Sequence, residues 1–240
     1  MPESTTRRTI LAAGLGSAAS LVAGCMTRNA TSANNELPGP VWPHDAPRTA
    51  QRPTRRPRPR PAATEIRVEP RNTWTAAQPI VSQTNPMVRV ERITVHHDGI
   101  DPVTIRSKDQ AADRIEFIRN SHVEGRGWAD IGYHYIIDPH GRVWEGRPIR
   151  LQGAHAGPNN PRNAGVLVLG HFNLQQPTPQ AKNSLDATLA ELARLHRVRL
   201  NNIHTHQELS ATECPGEYLQ RHMNQTRRPG GALNRRMQLT

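Results

Sequence analysis

The chain contains the unbroken apolar run Ala164-Gly165-Val166-Leu167-Val168-Leu169, which has no polar side chain on either face. A strand that is apolar on both faces is typical of the interior of a sheet that helices cover on both sides. This segment therefore predicts a central strand, and we expect the remaining elements to be arranged around it.

Strands and helices are predicted to alternate on both sides of this run. Apolar side chains recur at helical spacing over residues 104–122, and Thr178 and Pro179 predict the cap and first position of a second helix. A third, short helix is predicted over residues 218–223. Four further strands are predicted: residues 88–96, 133–138, 142–146 and 202–206. The predicted fold class is α/β, with a mixed central β-sheet flanked by helices in one domain over residues 66–228.

The N-terminus has the pattern of an export signal. Thr6-Arg7-Arg8-Thr9-Ile10-Leu11 is a twin-arginine start, and no acidic residue interrupts the apolar stretch that follows to Ala23. The stretch closes on Leu21-Val22-Ala23-Gly24-Cys25, which resembles a bacterial lipoprotein cleavage box and implies that Cys25 is lipidated. We therefore predict a signal peptide over residues 1–25 and a lipoprotein anchored to a membrane, periplasmic or at the cell surface. An ordinary signal peptide, with Cys25 incidental, is the alternative.

Residues 26–65 are predicted to be a disordered tether. The run Arg52-Pro53-Thr54-Arg55-Arg56-Pro57-Arg58-Pro59-Arg60-Pro61 favours extended geometry and repels itself. Much of the formal charge of +11 therefore lies outside any core. The run has no interleaved aromatic side chains on which bases could stack, so nucleic acid is not a predicted partner. Residues 229–240 are predicted to be a disordered basic tail.

Cys214 is the single cysteine of the predicted domain. A lone thiol in an oxidising compartment is prone to intermolecular pairing unless it is occupied, and a metal is a common occupant. His96 and His206 each lie at the end of a predicted strand, so both imidazoles can meet the thiol at one rim of the sheet. Two nitrogens and one sulfur predict Zn²⁺ with one open position, as in catalytic sites. His204 is the alternative to His206.

Six motifs, taken together and in order, resemble the zinc N-acetylmuramoyl-L-alanine amidases, in particular the peptidoglycan recognition protein branch. The resemblance covers residues 68–223, nearly the whole predicted domain. The motifs are PRNTW (70–74), ITVHH (93–97), GWADIGYHY (127–135), GRVWEGR (141–147), GAHAG (153–157) and the segment from His206 to Cys214. The resemblance implies a zinc-dependent hydrolase that cleaves the amide between N-acetylmuramic acid and L-alanine of peptidoglycan.

The resemblance also implies residue roles. The family's zinc ligands correspond to His96, His206 and Cys214, the trio reached from spacing. Tyr133 and Thr212 correspond to catalytic residues that would bond the attacking water or the developing oxyanion. Two more residues are expected to bind substrate: His155, as a groove histidine, and Asn163, on the loop that leads into the adjacent strand.

Two details of the reaction follow from particular positions. The pair Gly127-Trp128 accompanies meso-diaminopimelate stem peptides in recognition proteins, so diaminopimelate-type peptidoglycan is the expected substrate. Leu167 stands where a related branch carries glutamate, so the proton donor to the leaving amine is left open among His155, His204 and water.

Three classes of function stay open on the sequence. The leading one is a monomeric zinc amidase. The second is a module that binds peptidoglycan without cutting it. The third is an anchor that holds the wall to a membrane through the lipid and the basic tether.

Overall fold

The computed structural model describes residues 66–102 and 104–239, so the predicted signal peptide, Cys25 and the tether lie outside the described residues. The six strands are β1 (Val68–Glu69), β2 (Arg92–His97), β3 (Tyr135–Ile137), β4 (Val143–Glu145), β5 (Asn163–Val168) and β6 (Ile203–Thr205). The four α-helices are α1 (Lys108–Arg126), α2 (Pro179–His196), α3 (Glu217–Thr226) and α4 (Ala232–Leu239). The predicted α/β fold class is confirmed.

The strands form one mixed sheet with the order β1-β4-β3-β5-β2-β6. Strand β5 lies inside it, parallel to both β2 and β3, and all six of its residues are buried. The hairpin of β3 and β4 is the antiparallel pair. The apolar run thus forms the interior strand that its two apolar faces predict.

Side-chain alternation divides the core into two layers. On β2, Ile93 and Val95 pack into the layer that contains α2, α3 and α4, whereas the intervening Thr94 and His96 point to the opposite face. That opposite face carries a second apolar cluster, in which Ile115 and Ile118 of α1 cover the sheet. His96 therefore lies on the α1 side of the sheet, and its neighbour His97 lies on the other.

Capping residues set the ends of the two long helices. Helix α1 begins after Ser107, whose side chain accepts a hydrogen bond from the Gln110 N–H, and ends at Gly127 with φ of +66°. Helix α2 begins after Thr178, whose side chain accepts from the Ala181 N–H, with Pro179 at its first position as predicted.

Strand β2 starts four residues later than the predicted start at residue 88. Its partner β5 begins at Asn163, which is level with Arg92, so residues before Arg92 have no strand to pair with. Val88 is accordingly 83% exposed. The apolar content of residues 88–91 resembles a strand, but the sheet offers no position for it.

The prediction of a disordered tail over residues 229–240 is wrong. Ala232–Leu239 forms α4, and Leu233 is fully buried in the core layer that contains α2. The Leu233 N–H donates to the Thr226 Oγ1 at 2.9 Å, which fastens the helix to the end of α3. The folded domain therefore extends beyond residue 228, because one apolar face of this basic segment completes the core.

No helix in the described part of the chain is long and apolar enough to cross a membrane.

Replacing Leu233 with alanine tests whether α4 belongs to the domain. We expect a loss of about 2–4 kcal/mol in the free energy of unfolding, because the change leaves a cavity in a packed core. The matched control is Leu239→Ala in the same helix, where the side chain is 56% exposed and the expected change is within about 0.5 kcal/mol. Urea unfolding measures both, and equal stabilities would show that α4 does not contribute to the fold.

Candidate metal centre

His96, His206 and Cys214 meet at one edge of the sheet. One potential ligand atom from each lies within 4.8 Å of the other two. The Cys214 Sγ is 3.6 Å from the His96 Nδ1. Zinc bonds of about 2.3 Å to sulfur and about 2.1 Å to nitrogen, at a tetrahedral angle, put those two atoms about 3.6 Å apart. The donor set and its spacing therefore fit zinc.

Parallel pairing brings the two histidines to the same level. Strands β2 and β6 are parallel neighbours, and their register sets Val95 opposite Thr205. His96, the next residue of β2, and His206, the first residue after β6, thus lie at the same edge of the sheet, with ring centroids 4.7 Å apart.

A short turn and a loop place the remaining groups. His206 opens a 3₁₀ turn closed by a capping box, in which the Glu208 carboxylate accepts from the Thr205 N–H at 3.0 Å. The Gln207 N–H donates to the Cys214 carbonyl at 2.7 Å, which folds the intervening loop back over the sheet edge. Gly216, with φ of +85°, follows on the same loop, and a Cβ there would lie 2.6 Å from the Phe172 backbone.

Burial sets the protonation of the three groups in the metal-free protein. Burial, together with the nearby His155 and His206 rings, holds the pKa of His96 well below its usual range, and burial also lowers the pKa of His206. Both rings are therefore neutral at pH 7 and have a lone pair to offer. Burial raises the pKa of the Cys214 thiol to about 12, so a metal ion would have to displace its proton.

The two residues predicted to be catalytic lie beside this cluster. The Tyr133 ring is 5.1 Å from the His96 ring. Burial raises the pKa of the Tyr133 phenol, and so does the neighbouring Cys214, so the phenol is protonated at neutral pH. The exposed Thr212 hydroxyl accepts from the Cys214 N–H at 3.2 Å and retains its own proton for donation.

Two of the residues expected to bind substrate, Asn163 and His155, are buried. Asn163 is fully buried: its Oδ1 accepts from the Thr94 hydroxyl at 2.9 Å, and its Nδ2 donates to the Asn159 carbonyl at 2.8 Å. His155 is 6% exposed and lies behind His96, with 3.0 Å between its Nδ1 and the His96 Nε2. Asn163 is the first residue of β5 rather than part of a groove loop. The spacing of the GAHAG motif does not show whether the His155 ring lies in front of His96 or behind it.

A groove of about 300 Å³ lies against Tyr133. The side chains that line it come from α1, from the loop after β2 and from the segment before β3: Asp98, Ile100, Phe117, Ile118, Ser121, His122, Arg126 and Tyr133. Gly127, the αL cap of α1, and Trp128 adjoin the groove but do not line it. The Trp128 ring stacks 4.6 Å from His122, and the Arg126 guanidinium lies 5.0 Å from the Trp128 ring. Trp128 therefore supports the wall of the groove from behind.

His122 is the groove residue that the sequence analysis missed. Its Nδ1 accepts from the Gly132 N–H at 3.1 Å, so the proton of the neutral ring is on Nε2. Burial lowers its pKa to about 4, with Arg126 and Arg147 adding to the effect. Its position one turn from Arg126 on α1, directly before the GWADIGYHY motif, is the signal that would have identified it.

The alternative ligand His204 lies outside the cluster. Strand β6 ends at Thr205, so His206 turns away into the 3₁₀ helix and no longer shares the direction of His204. The His204 Nδ1 lies 3.9 Å from the Glu208 carboxylate.

The chain is similar to known proteins over most of this domain. A family profile described as N-acetylmuramoyl-L-alanine amidase matches residues 86–217. Peptidoglycan-recognition protein SC1a of Drosophila melanogaster is 31% identical over 128 residues, which cover 52% of this chain and 67% of that protein. The N-acetylmuramoyl-L-alanine amidase of Homo sapiens is 29% identical over 154 residues, or 63% of this chain and 27% of that protein. The crystal structure of Drosophila peptidoglycan recognition protein SD superposes with a TM-score of 0.59 at 27% identity, covering 64% of this chain and 90% of that one.

Glu208 gives the loop that carries Cys214 a pH-dependent stability. Burial alone would raise its pKa, but hydrogen bonds from Arg227, the Thr205 N–H and Gln220 together lower it to about 2. A carboxylate with a pKa below its unfolded value stabilises the fold above about pH 4.5, and this contribution is lost as the pH falls towards 2. We expect Glu208→Gln to cost about 1 kcal/mol at pH 7, allowing for solvent screening, and to cost nothing near pH 2.

The matched control is Glu217→Gln, which removes a carboxylate from an exposed ion pair with Arg221. We expect its stability to follow the wild type at both pH values in urea unfolding. A Glu208→Gln penalty that is the same at pH 7 and near pH 2 would contradict the assignment.

Proposed function

The chain belongs to the N-acetylmuramoyl-L-alanine amidase family, and on that basis we propose that it is a zinc-dependent hydrolase that cleaves the amide bond between N-acetylmuramic acid and L-alanine in peptidoglycan. The observation that carries the proposal is the meeting of two neutral imidazoles and one thiol beside a groove. Three protein ligands of this kind leave the fourth position of a tetrahedral ion free for chemistry, whereas a structural zinc site takes four.

The side chains around the cluster have complementary roles in this proposal. A zinc ion held by His96, His206 and Cys214 would polarise the scissile carbonyl and make hydroxide available at neutral pH. Tyr133 stands beside His96 with its phenol protonated, so it can donate a hydrogen bond to the oxyanion that develops on the carbonyl oxygen. Thr212 can donate its hydroxyl proton to the same charge.

The leaving amine must also receive a proton. Of the three candidates, His155 is buried behind His96, and His204 lies against Glu208 outside the cluster. Water in the open groove is therefore the proposed donor. Leu167, level with His96 on the neighbouring strand, is fully buried and offers no proton.

Recognition without cleavage is the second candidate function. Several relatives are named for peptidoglycan recognition, and a groove beside Tyr133 would serve binding as well as catalysis. The three convergent ligands and the adjacent phenol favour cleavage, because binding alone requires none of them.

We also propose how the chain is organised around this domain. Residues 1–25 would direct export and be removed, Cys25 would carry the lipid that anchors the protein to a membrane of the cell envelope, and residues 26–65 would tether the domain to it. The tether would let a monomeric domain reach the peptidoglycan while the lipid holds it in place.

Digestion of purified diaminopimelate-type peptidoglycan tests the proposed reaction. We expect free stem peptides that begin with L-alanine, detected by mass spectrometry, and their loss on chelation with recovery on addition of zinc. Cys214→Ala should lower the rate by at least about 10³-fold, because the ligand set is broken. Cys25→Ala, which changes the chain's other cysteine, is the matched control and should retain full activity in solution.

The contrary outcome is that zinc-loaded wild-type protein sediments with peptidoglycan and releases no peptide. The protein would then be one that recognises peptidoglycan without cleaving it.

We further propose that the preferred stem peptide contains diaminopimelate, on the strength of Gly127 and Trp128. Trp128 fixes the groove wall through His122 and Arg126, so a change at this pair alters the groove without touching the metal ligands. Gly127 has φ of +66°, a conformation that asparagine tolerates better than other side chains.

The double substitution Gly127→Asn with Trp128→Phe tests this preference. We expect the ratio of diaminopimelate-stem to lysine-stem turnover to fall by about 10-fold, because the altered groove wall would fit the diaminopimelate stem less well. Competition between the two muropeptides in one reaction measures the ratio. An equal loss of both rates in the double variant would mean that Trp128 only supports His122. Equal turnover of both stem peptides by the wild type would contradict the proposed preference.

A further inference from the structure

The buried His155 is bonded on both ring nitrogens in a way that fixes its protonation. Its Nε2 lies 3.2 Å from the Asn163 carbonyl, and its Nδ1 lies 3.0 Å from the His96 Nε2. A carbonyl oxygen only accepts, so the His155 proton must be on Nε2 and its Nδ1 must be an acceptor.

That assignment decides the tautomer of His96. The His155 Nδ1 can accept only if the His96 Nε2 carries a proton, which leaves the His96 Nδ1 with its lone pair free. The His96 Nδ1 is the atom that faces Cys214, with 3.6 Å to the Sγ. One backbone carbonyl thus determines, through two rings, which nitrogen of His96 faces the metal position.

Two glycines make room for the His155 ring. A Cβ at Gly165 would lie 2.6 Å from the His155 Cδ2, and a Cβ at Gly153 would lie 2.5 Å from the same atom. Any larger residue at either position would displace the ring. The Asn160 Oδ1 also accepts from the His155 N–H at 2.8 Å, which holds the backbone in place. The ring is therefore held by its backbone hydrogen bond and by close contact with the two glycines.

We propose that His155 is a positioning residue of the metal centre, which holds His96 in the tautomer and ring orientation that present Nδ1 to the metal. This inference rests on the proposed zinc-dependent function. A ligating histidine commonly donates its second N–H to a carboxylate or carbonyl. Here the acceptor is the neutral imidazole of His155, which adds no negative charge behind His96. The Cys214 thiolate would then be the single negative ligand, and a zinc ion with its three protein ligands would keep a net charge of +1.

Zinc affinity tests the relay without reference to catalysis. We expect His155→Phe, which fills the site but accepts no hydrogen bond, to weaken zinc binding by about 10–100-fold in competition with a chromophoric chelator. His155→Gln, whose amide can accept from His96 and donate to the Asn163 carbonyl, should restore the affinity to within about threefold of the wild type.

His134→Phe is the matched control. His134 is an equally buried histidine whose Nε2 is bonded to the Leu151 carbonyl and which makes no hydrogen bond to His96. We expect this change to lower stability and to leave zinc affinity within about threefold, because the hydrogen bonds it removes, to the Leu151 carbonyl and from the Gly165 N–H, are not part of the relay.

Imidazole ¹⁵N shifts report the tautomers directly in the metal-free wild type. We expect both His96 and His155 to be protonated on Nε2, whereas protonation of His96 on Nδ1 would overturn the relay. This measurement needs no variant, so it decides the matter even if His155→Phe does not fold.

The outcomes separate the relay from the reaction. Wild-type protein that binds zinc but releases no stem peptide contradicts the proposed amidase alone, and the affinities of the variants still decide the relay. Unchanged zinc affinity in folded His155→Phe overturns the relay alone, whatever the activity. A wild type that binds no zinc overturns both.

Discussion

The parallel pairing of β2 with β5 on one side and β6 on the other is the constraint on which the site depends. It sets Val95 level with both Val166 and Thr205, so His96 and His206 leave the sheet side by side. The hydrogen bonds of the ladder, rather than any bond between the histidines themselves, hold the two rings at a distance suited to one ion. Cys214 needs only a folded loop to join them, which the contact between Gln207 and Cys214 supplies.

The same pairing explains what the sequence could and could not predict. The apolar run of β5, the caps at Thr178 and Pro179 and the three ligand positions are local patterns, so they could be read without the fold. The position of the Asn163 side chain could not be predicted from local sequence. Its partners Thr94 and Asn159 are brought to it only by the register of β2 against β5 and by the preceding turn. The burial of His155 could not be predicted for a related reason: the sequence does not show whether this side chain faces the groove or packs behind His96. The tail was misjudged because two glycines and two arginines obscure its apolar face, on which Leu233 is buried and Met237 packs against the same core layer.

Neutral groups dominate the surroundings of the candidate metal position. His96, His155 and His206 all have pKa values lowered chiefly by burial, and the strand position beside His96 is the apolar Leu167. Without a second anionic ligand, the charge of a bound divalent ion is only half neutralised. Such a centre attracts the developing negative charge of an oxyanion more strongly than one with two anionic ligands, which is the physical advantage of a ligand set with a single thiolate.

Three of the six motifs meet at one buried residue, Asp130. The Asp130 Oδ1 accepts from the Arg71 guanidinium at 2.8 Å and from the Arg119 Nε at 3.1 Å, and Arg147 donates to the Asp130 backbone carbonyl at 3.0 Å. Arg71 comes from the first motif, Asp130 from the third and Arg147 from the fourth. A buried carboxylate that loses one such partner is strongly destabilised, so the three segments are constrained together. Tyr133 follows Asp130 by three residues, and the ion pairs therefore anchor the segment that sets the phenol beside His96. The motifs far from the metal ligands contribute to the site by fixing the direction from which the phenol approaches it.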